Sequence, residues 1–415
     1  MRRLIYAHVA EDGRLILPAE VSKRFGLEPG SRAVLDEGTN QITLHLPVTA
    51  LRRVYIEPTN ACNLNCLTCM RNVWDEPQGR MGTETFERIL DSLRSFSPLP
   101  MVFFGGLGEP LFHPHIIEMI ASVKAIGARV EMITNGTLLS DTLAEEIIDS
   151  GLDFLWVSID GATAESYMDI RLGDVLPQVI ENLKRLCSRR DAAYGYTPQI
   201  GIAFVAMRRN IADLPSVMRL GAELGVKRYS ITNVLAHTPL LAKETLYDNS
   251  LNRTDASTAD VSPHINLPRI DLTPETLPAL EKLLEHSYQI SLGENEIGLP
   301  TDKCPFVARG SLSIRWDGEV SPCLPLLHTH ESYLDERVRS SKAHSLGNVA
   351  EHDLLGIWNT PDYLALRETL QSFAFSPCAF CNSCEMANDN IEDCYGNIKP
   401  TCGGCLWAQG FIQCP

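Results

Sequence analysis

Residues 54–70 read VYIEPTNACNLNCLTCM. The apolar, β-rich run VYIEP (54–58) predicts a strand, and cysteines at 62, 66 and 69 follow its C-terminal end. Thiolates are soft ligands that suit zinc, copper(I) or iron–sulfur clusters. Structural zinc takes four ligands, and only three stand here. His8 and His45 belong to another predicted unit, and His113 is distant in sequence. Three cysteines on a 4Fe–4S cluster leave one iron open to an outside ligand. A zinc knuckle is the alternative reading of the spacing.

From Arg53 onward, β-rich runs alternate with helical patterns. The other strand candidates are MVFFGG (101–106), RVEMITNG (129–136), FLWVSIDG (154–161), IGIAFVAM (200–207) and YSITNVL (229–235). In TETFERILDSL, Phe86, Ile89, Leu90 and Leu93 share one helical face, with Thr83 as the expected N-cap. Further helices are predicted near 114–126, 140–150, 176–190, 213–224 and 274–286. Such alternation gives parallel βα units. Six strands are too few for a closed eight-stranded barrel but fit a partial, curved one. The expected fold class is α/β, a partial (βα)6 TIM barrel whose sites lie at the C-terminal ends of the strands. Residues 236–270 are polar and Pro-punctuated and read as a long insertion.

The chain has 415 residues, enough for two or three domains at roughly 100–200 residues each. Residues 1–50 predict a small β-rich ββαββ domain, 51–300 the barrel, and 301–415 a loop-rich, cysteine-rich domain held together by metal. Of thirteen cysteines, three lie at 62–69 and nine at 304–414. Cys187 stands alone in the helical stretch ENLKRLCSRR and reads as a buried small hydrophobe. Two arginines but no apolar stretch precede Glu11 and Asp12, so no signal peptide is expected. No run of about 18 apolar residues predicts a membrane span. A cytoplasmic protein is expected, in which clustered thiols mean metal or catalysis rather than disulfides. The net charge of -16 argues against nucleic acid as a partner.

With these residues in place, the chain resembles the radical SAM enzymes: Cys62, Cys66 and Cys69 match their signature and the six βα units their barrel. The resemblance implies reductive cleavage of S-adenosylmethionine (SAM) to a 5′-deoxyadenosyl radical, which abstracts a substrate hydrogen. Thr68 stands where many members have an aromatic residue. FFGGLGEP (103–110) is similar to the family's Gly-Gly-Glu-Pro motif with Leu107 and Gly108 inserted. The resemblance therefore places Gly105, Gly106, Gly108 and Glu109 at the cofactor, Glu109 accepting from the SAM ammonium group. Thr134 and Asn135 form a rim turn, Ser158 and Asp160 meet the ribose hydroxyls, and Arg171 pairs with the SAM carboxylate. The bland alternatives are an N-cap role for Glu109 and a solvated surface position for Arg171.

Cys304 and Cys323, with Gly318 between them, resemble the opening of a SPASM domain, which implies two auxiliary 4Fe–4S clusters. Eight thiolates would hold both, and nine are present: Cys304, Cys323, Cys378, Cys381, Cys384, Cys394, Cys402, Cys405 and Cys414. The later spacings depart from the family pattern. Cys304, Cys323 and Cys394 are expected in the inner cluster and Cys378, Cys381 and Cys384 in the outer one. Cys402, Cys405 and Cys414 compete for the remaining places, and zinc sites are the alternative. The tail PTCGGCLWAQGFIQCP (400–415) and FGGLGEPLFHP (104–114) look like the radical SAM maturases found with tungsten-cofactor oxidoreductases of the aldehyde:ferredoxin type.

GRLILPAEVSKRFGLEPGSRAVLDEGTNQITLHLP (13–47) resembles the swapped-hairpin domain of AbrB-type transcription factors, which dimerise and bind DNA. Residues 1–50 carry six basic and six acidic residues, so phosphate neutralisation gives them no affinity for DNA. A homodimer, or a dock for the substrate protein, is the better reading. The function expected is maturation of a peptide or protein, such as a tungsten oxidoreductase, with ferredoxin or flavodoxin as electron donor. A small-molecule or cofactor-precursor substrate, and a non-catalytic iron–sulfur or DNA-binding regulator, are the alternatives.

Overall fold

Short β-branched and aromatic runs form the strands β1 (Arg53–Ile56), β2 (Met101–Phe104), β3 (Val130–Thr134), β4 (Phe154–Ser158), β5 (Gln199–Ala206) and β6 (Arg228–Asn233). In the computed structural model they pair in chain order, every pair parallel. The structure describes residues 5–27, 33–37, 42–193, 195–251, 264–268, 270–284, 289–292, 295–297, 301–334, 337–381 and 384–415.

Parallel neighbours require crossovers, supplied by α1 (Thr83–Leu93), α2 (Ile116–Ala125), α3 (Asp141–Asp149), α4 (Ala164–Arg171) with α5 (Leu176–Ala192), and α6 (Leu214–Glu223). The α1 cap is Gly82, one residue before the expected Thr83. Side chains alternate across each strand. Val54, Ile56, Val102, Phe104, Val130 and Met132 face the helices in the main core. Tyr55, Phe103, Phe154 and Trp156 point the other way and fill the barrel interior with Phe306. Glu131 lies among them, bridged to Arg53 at 3.2 Å. Cys187 packs against the main core, its thiol 3.6 Å from the Leu224 carbonyl.

The C-terminal segment joins this sheet. Strand β7 (Ser311–Ile314) pairs parallel with β1 on the edge opposite β2, and β8 (Glu319–Ser321) and β9 (Gly347–Asn348) continue antiparallel. Helices α7 (Leu354–Trp358) and α8 (Pro361–Ser372) lay Leu354, Ile357, Trp358 and Tyr363 into the barrel's own core. A sequence that reads as loops held by metal thus also rests on ordinary apolar burial. Residues 407–415 then cross the barrel's open side. Asn233 of β6 donates to the Phe411 carbonyl at 2.8 Å, and Arg53 of β1 donates to the Pro415 carbonyl at 2.8 Å.

The long insertion expected over 236–270 is folded in its first part. Leu241 packs with Met207, Val234 and Ala236, and Tyr247 and Leu251 pack with Leu406 and Ile412. A few large apolar residues in a polar stretch suffice to anchor it. Residues 252–263 lie outside the described residues. The helix expected near 274–286 covers Leu277–Leu284.

At the N-terminus, the hairpin His8–Val9/Leu15–Ile16, the helix Ala19–Phe25 and the hairpin Leu35–Glu37/Ile42–Leu44 follow one another in the expected ββαββ order. The two hairpins are separate two-stranded sheets. Leu15, Ile16, Ile42 and Leu44 are 62%, 54%, 70% and 37% exposed. Among the described residues no helix is long and apolar enough to cross a membrane.

Candidate active site

The loop after β1 is tied down before its first cysteine. The Thr59 hydroxyl donates to the Gly79 carbonyl at 2.6 Å, and Asn60 exchanges hydrogen bonds with Pro77 and Gly79. Cys62, Cys66 and Cys69 then line a cavity of ≈ 300 Å³ at the C-terminal ends of the strands. Each sulfur faces an N–H. Cys62 accepts from the Leu64 amide at 3.4 Å and faces the Asn135 side-chain amide at 3.8 Å. Cys66 accepts from Arg171 Nη1 at 3.5 Å, and Cys69 from Arg71 Nε at 3.3 Å. The three sulfurs thus face N–H donors and two guanidinium groups, while burial pushes the Cys62 thiol up. This donor set fits an anionic, thiolate-held cluster.

Gly106, Gly108, Glu109, Thr134, Asn135, Ser158 and Arg171 line the same cavity. Gly105 is buried outside it. Glu109 does cap a short helix, Pro110–Phe112, accepting from the Leu111 amide at 3.0 Å. It also accepts from the Thr134 hydroxyl and the Asn135 amide, each at 2.7 Å. Burial raises its pKa and these donors oppose the rise. The carboxylate expected to meet an ammonium group is therefore already bonded to β3.

Asp160 is placed differently from its expected position beside a ribose. It is fully buried and outside the cavity lining. Its carboxylate accepts from the Val205 amide at 2.8 Å and pairs with Arg171 at 2.5 Å. The reason is that β4 ends at Ser158, so the two-residue alternation does not carry on to Asp160. Arg171 is no solvated surface residue. Its side chain is only 11% exposed, held by Asp160 and aimed at Cys66. The remaining walls are largely apolar, with Leu107, Ile133, Val205, Val234, Leu235, Trp407 and Ile412.

One cluster of functional side chains escapes the motifs. Glu57, at the end of β1, is fully buried and accepts from the Leu107 amide at 3.0 Å and from His328 Nε2 at 2.9 Å. The other ring nitrogen of His328 meets Glu76. Burial alone would lower the His328 pKa, but the two carboxylates outweigh it and raise it. A charged residue directly after a buried strand was the available signal.

Cys304, Cys323, Cys402 and Cys405 line a second, smaller cavity of ≈ 50 Å³ with Arg339, His330 and Trp407. Burial pushes the Cys304 thiol up to about 12 and holds Cys323 and Cys402 well above the ordinary thiol value. Such thiols ionise when they coordinate a metal. This grouping differs from the expected one. Cys394 is exposed and outside the cavity lining, because the turn at Asp393 carries it to the surface. The Cys402–Cys405 turn folds back in its place, pinned by the Ala379 amide to the Gly403 carbonyl at 3.1 Å. Cys414 packs with Tyr55, Phe306 and Trp407 at the barrel interior. Cys378 and Cys381 lie at Arg337, which donates to both their carbonyls, and Cys384 stands nearby. Among the described residues no three His, Cys, Asp or Glu side chains converge as ligands of a single ion would.

An open parallel barrel with three donor-bonded thiols at its mouth, and further thiols walled into a segment sharing its sheet, is an arrangement suited to an iron–sulfur enzyme. Residues 56–201 match the Radical SAM superfamily, and residues 304–385 match SPASM, an iron–sulfur cluster-binding domain. The chain belongs to the radical SAM family and carries the SPASM extension. A tungsten-containing aldehyde ferredoxin oxidoreductase cofactor-modifying protein of Pyrococcus furiosus is 32% identical over 371 residues, 88% of this chain and 97% of the relative. An AdoMet-dependent heme synthase of Methanosarcina barkeri is 30% identical over 184 residues, 44% of this chain and 50% of the relative. The fold is shared with Streptococcus suis SuiB bound to its precursor peptide SuiA, at a TM-score of 0.51 and 16% identity, over 81% of this chain and 70% of SuiB. The cofactors are accordingly a 4Fe–4S cluster with SAM, and auxiliary iron–sulfur clusters.

Proposed function

We propose that this is a cytoplasmic radical SAM maturase that abstracts a hydrogen from a peptide or protein, in the maturation of a tungsten-containing oxidoreductase. Cys62, Cys66 and Cys69 would hold the catalytic cluster. When bound, that cluster supplies the electron that splits SAM into methionine and a 5′-deoxyadenosyl radical. The chain's own part is to hold thiolate charge through Arg71, Arg171, Leu64 and Asn135. Its apolar walls exclude water from the reacting groups.

The observation that carries the protein-substrate reading is the set of exposed apolar side chains Leu15, Ile16, Leu35, Ile42 and Leu44 on the two N-terminal hairpins. An exposed apolar surface of this kind marks a protein–protein contact, here with a substrate protein or a second copy. Ferredoxin or flavodoxin would deliver the electron. The second reading, a small cofactor precursor as substrate, is favoured by the relative described as cofactor-modifying. The test is anaerobic incubation of reconstituted enzyme, SAM and reductant with the apo form of a tungsten oxidoreductase, followed by intact-protein and small-molecule mass spectrometry. A mass change on the polypeptide supports the first reading. A change confined to the small-molecule fraction refutes it and establishes the second.

A further inference from the structure

Arg339 is 2% exposed, yet its guanidinium forms no ion pair with a carboxylate among the described residues. Burying a guanidinium without an anion is strongly unfavourable. Its surroundings explain its position. It lines the cavity shared by Cys304, Cys323, Cys402 and Cys405, and its other cysteine neighbour is Cys378 of the second group. One Nη donates to the Ala387 carbonyl at 2.5 Å, which fixes the side chain. Gly404, inside the Cys402–Cys405 turn, leaves room for it: a Cβ there would lie 2.6 Å from both Nε and Nη1 of Arg339. Two positions earlier on the strand Arg337–Ser341, Arg337 donates to the carbonyls of Cys378, at 2.8 Å, and Cys381. Residues two apart on a strand share a face, so the strand presents two cations to two groups of thiols.

We propose that Arg339 is a positioning residue for electron transfer, a buried counter-charge set between the two auxiliary clusters that raises the reduction potential of both, with Arg337 acting on the outer one alone. The inference rests on the auxiliary-cluster reading. A cluster held by four thiolates is anionic and becomes more so on reduction, and a fixed cation beside it favours the reduced form. A single cation between two such clusters also offsets their mutual repulsion, so that an electron on one is less opposed by charge on the other. The residue acts without touching substrate or SAM.

The experiment is an EPR-monitored redox titration of the anaerobically reconstituted full chain, comparing R339Q, R339K and R337Q with the parent. The rim cluster is recognised by its response to added SAM and serves as the internal reference. R339Q is expected to shift both auxiliary potentials to more negative values and leave the rim cluster unmoved. R339K is expected to restore them toward the parent, and R337Q to shift one alone. If R339Q fails to hold its clusters, R339K decides: retained clusters at parental potentials support the proposal. Loss of iron in R339K equal to that in R339Q would mean a packing role and overturn it, as would unchanged potentials in R339Q. Parent protein with iron for the rim cluster alone would overturn the cluster reading itself, and the inference with it.

Discussion

Gly108 lies in the two residues by which FFGGLGEP differs from the family motif, and it tests whether that loop and the cysteine loop form one rigid unit. A Cβ at this position would lie 2.6 Å from the Ala61 carbonyl oxygen and 2.8 Å from the Asn60 carbonyl carbon, with the Thr59 carbonyl oxygen closer still. Ordinary contact begins near 3.4 Å, so Gly108→Ala must open these contacts by about 0.6 Å at Asn60 to more than 1 Å at the Thr59 oxygen. The neighbours are backbone, and Thr59 and Asn60 are pinned to Gly79 and Pro77, so no side chain can give way instead. The displaced segment runs directly into Cys62 and accepts the Glu109 amide at the Ala61 carbonyl, 2.9 Å away. Overpacking of this kind costs about 1–3 kcal/mol, and a 1 Å misplacement at a reacting centre costs about 100-fold in rate. The expected result is a loss of 5′-deoxyadenosine formation of that order, with weakened SAM binding and the auxiliary iron retained. The control is Gly82→Ala, where a Cβ meets nothing within 4 Å. Gly108→Ala protein that forms deoxyadenosine at the parental rate, with unchanged thermal stability, would refute the rigid-loop reasoning.

Replacing Cys62, Cys66 and Cys69 together by Ala is expected to abolish 5′-deoxyadenosine formation while about two thirds of the iron remains, if three clusters are present; iron analysis beside a chromatographic deoxyadenosine assay checks both. His328 has a raised folded-state pKa, so its contribution to stability is complete below the unfolded value and lost as pH rises through the folded one. His328→Gln should flatten that decline and, by leaving Glu57 buried without its partner, cost about 3–5 kcal/mol below neutral pH; thermal unfolding across the pH range measures it, and an unchanged pH profile would sink the assignment. Deleting residues 1–45 should reduce self-association or substrate turnover and spare uncoupled SAM cleavage, measured by light scattering with the same deoxyadenosine assay. Tight binding of duplex DNA by the intact protein would contradict the balanced charge of that segment.

The barrel was legible because its information is local. Val54, Tyr55 and Ile56 show their strand by composition, and the cysteines at 62, 66 and 69 show their place at its end by following it. Roles set by contacts between distant segments were not legible. Asp160 looked like a ligand-facing carboxylate until the end of β4 at Ser158 turned it toward Arg171. Cys394 looked like a cluster ligand by count, but a turn put it at the surface. Glu57 and His328 are 271 residues apart, and no spacing rule connects them.

The contact between His328 and Glu57 is one of several that join the C-terminal segment to the barrel mouth. His328 ties the Glu57 side chain, and through it the Leu107 amide, to the strand system that begins at β7. Trp407 and Ile412 form part of the wall around the rim cysteines, and Trp407 also lines the cavity of Cys304, Cys323, Cys402 and Cys405. The tail that carries Trp407 is hydrogen-bonded to β6 and β1 at once. A cluster seated among those four thiols would therefore order a wall of the cavity at the rim cysteines as well as its own surroundings. Losing it should loosen the residues that exclude water from the rim site, so auxiliary-cluster variants are expected to show more uncoupled SAM cleavage per substrate turned over, in addition to any change in electron transfer.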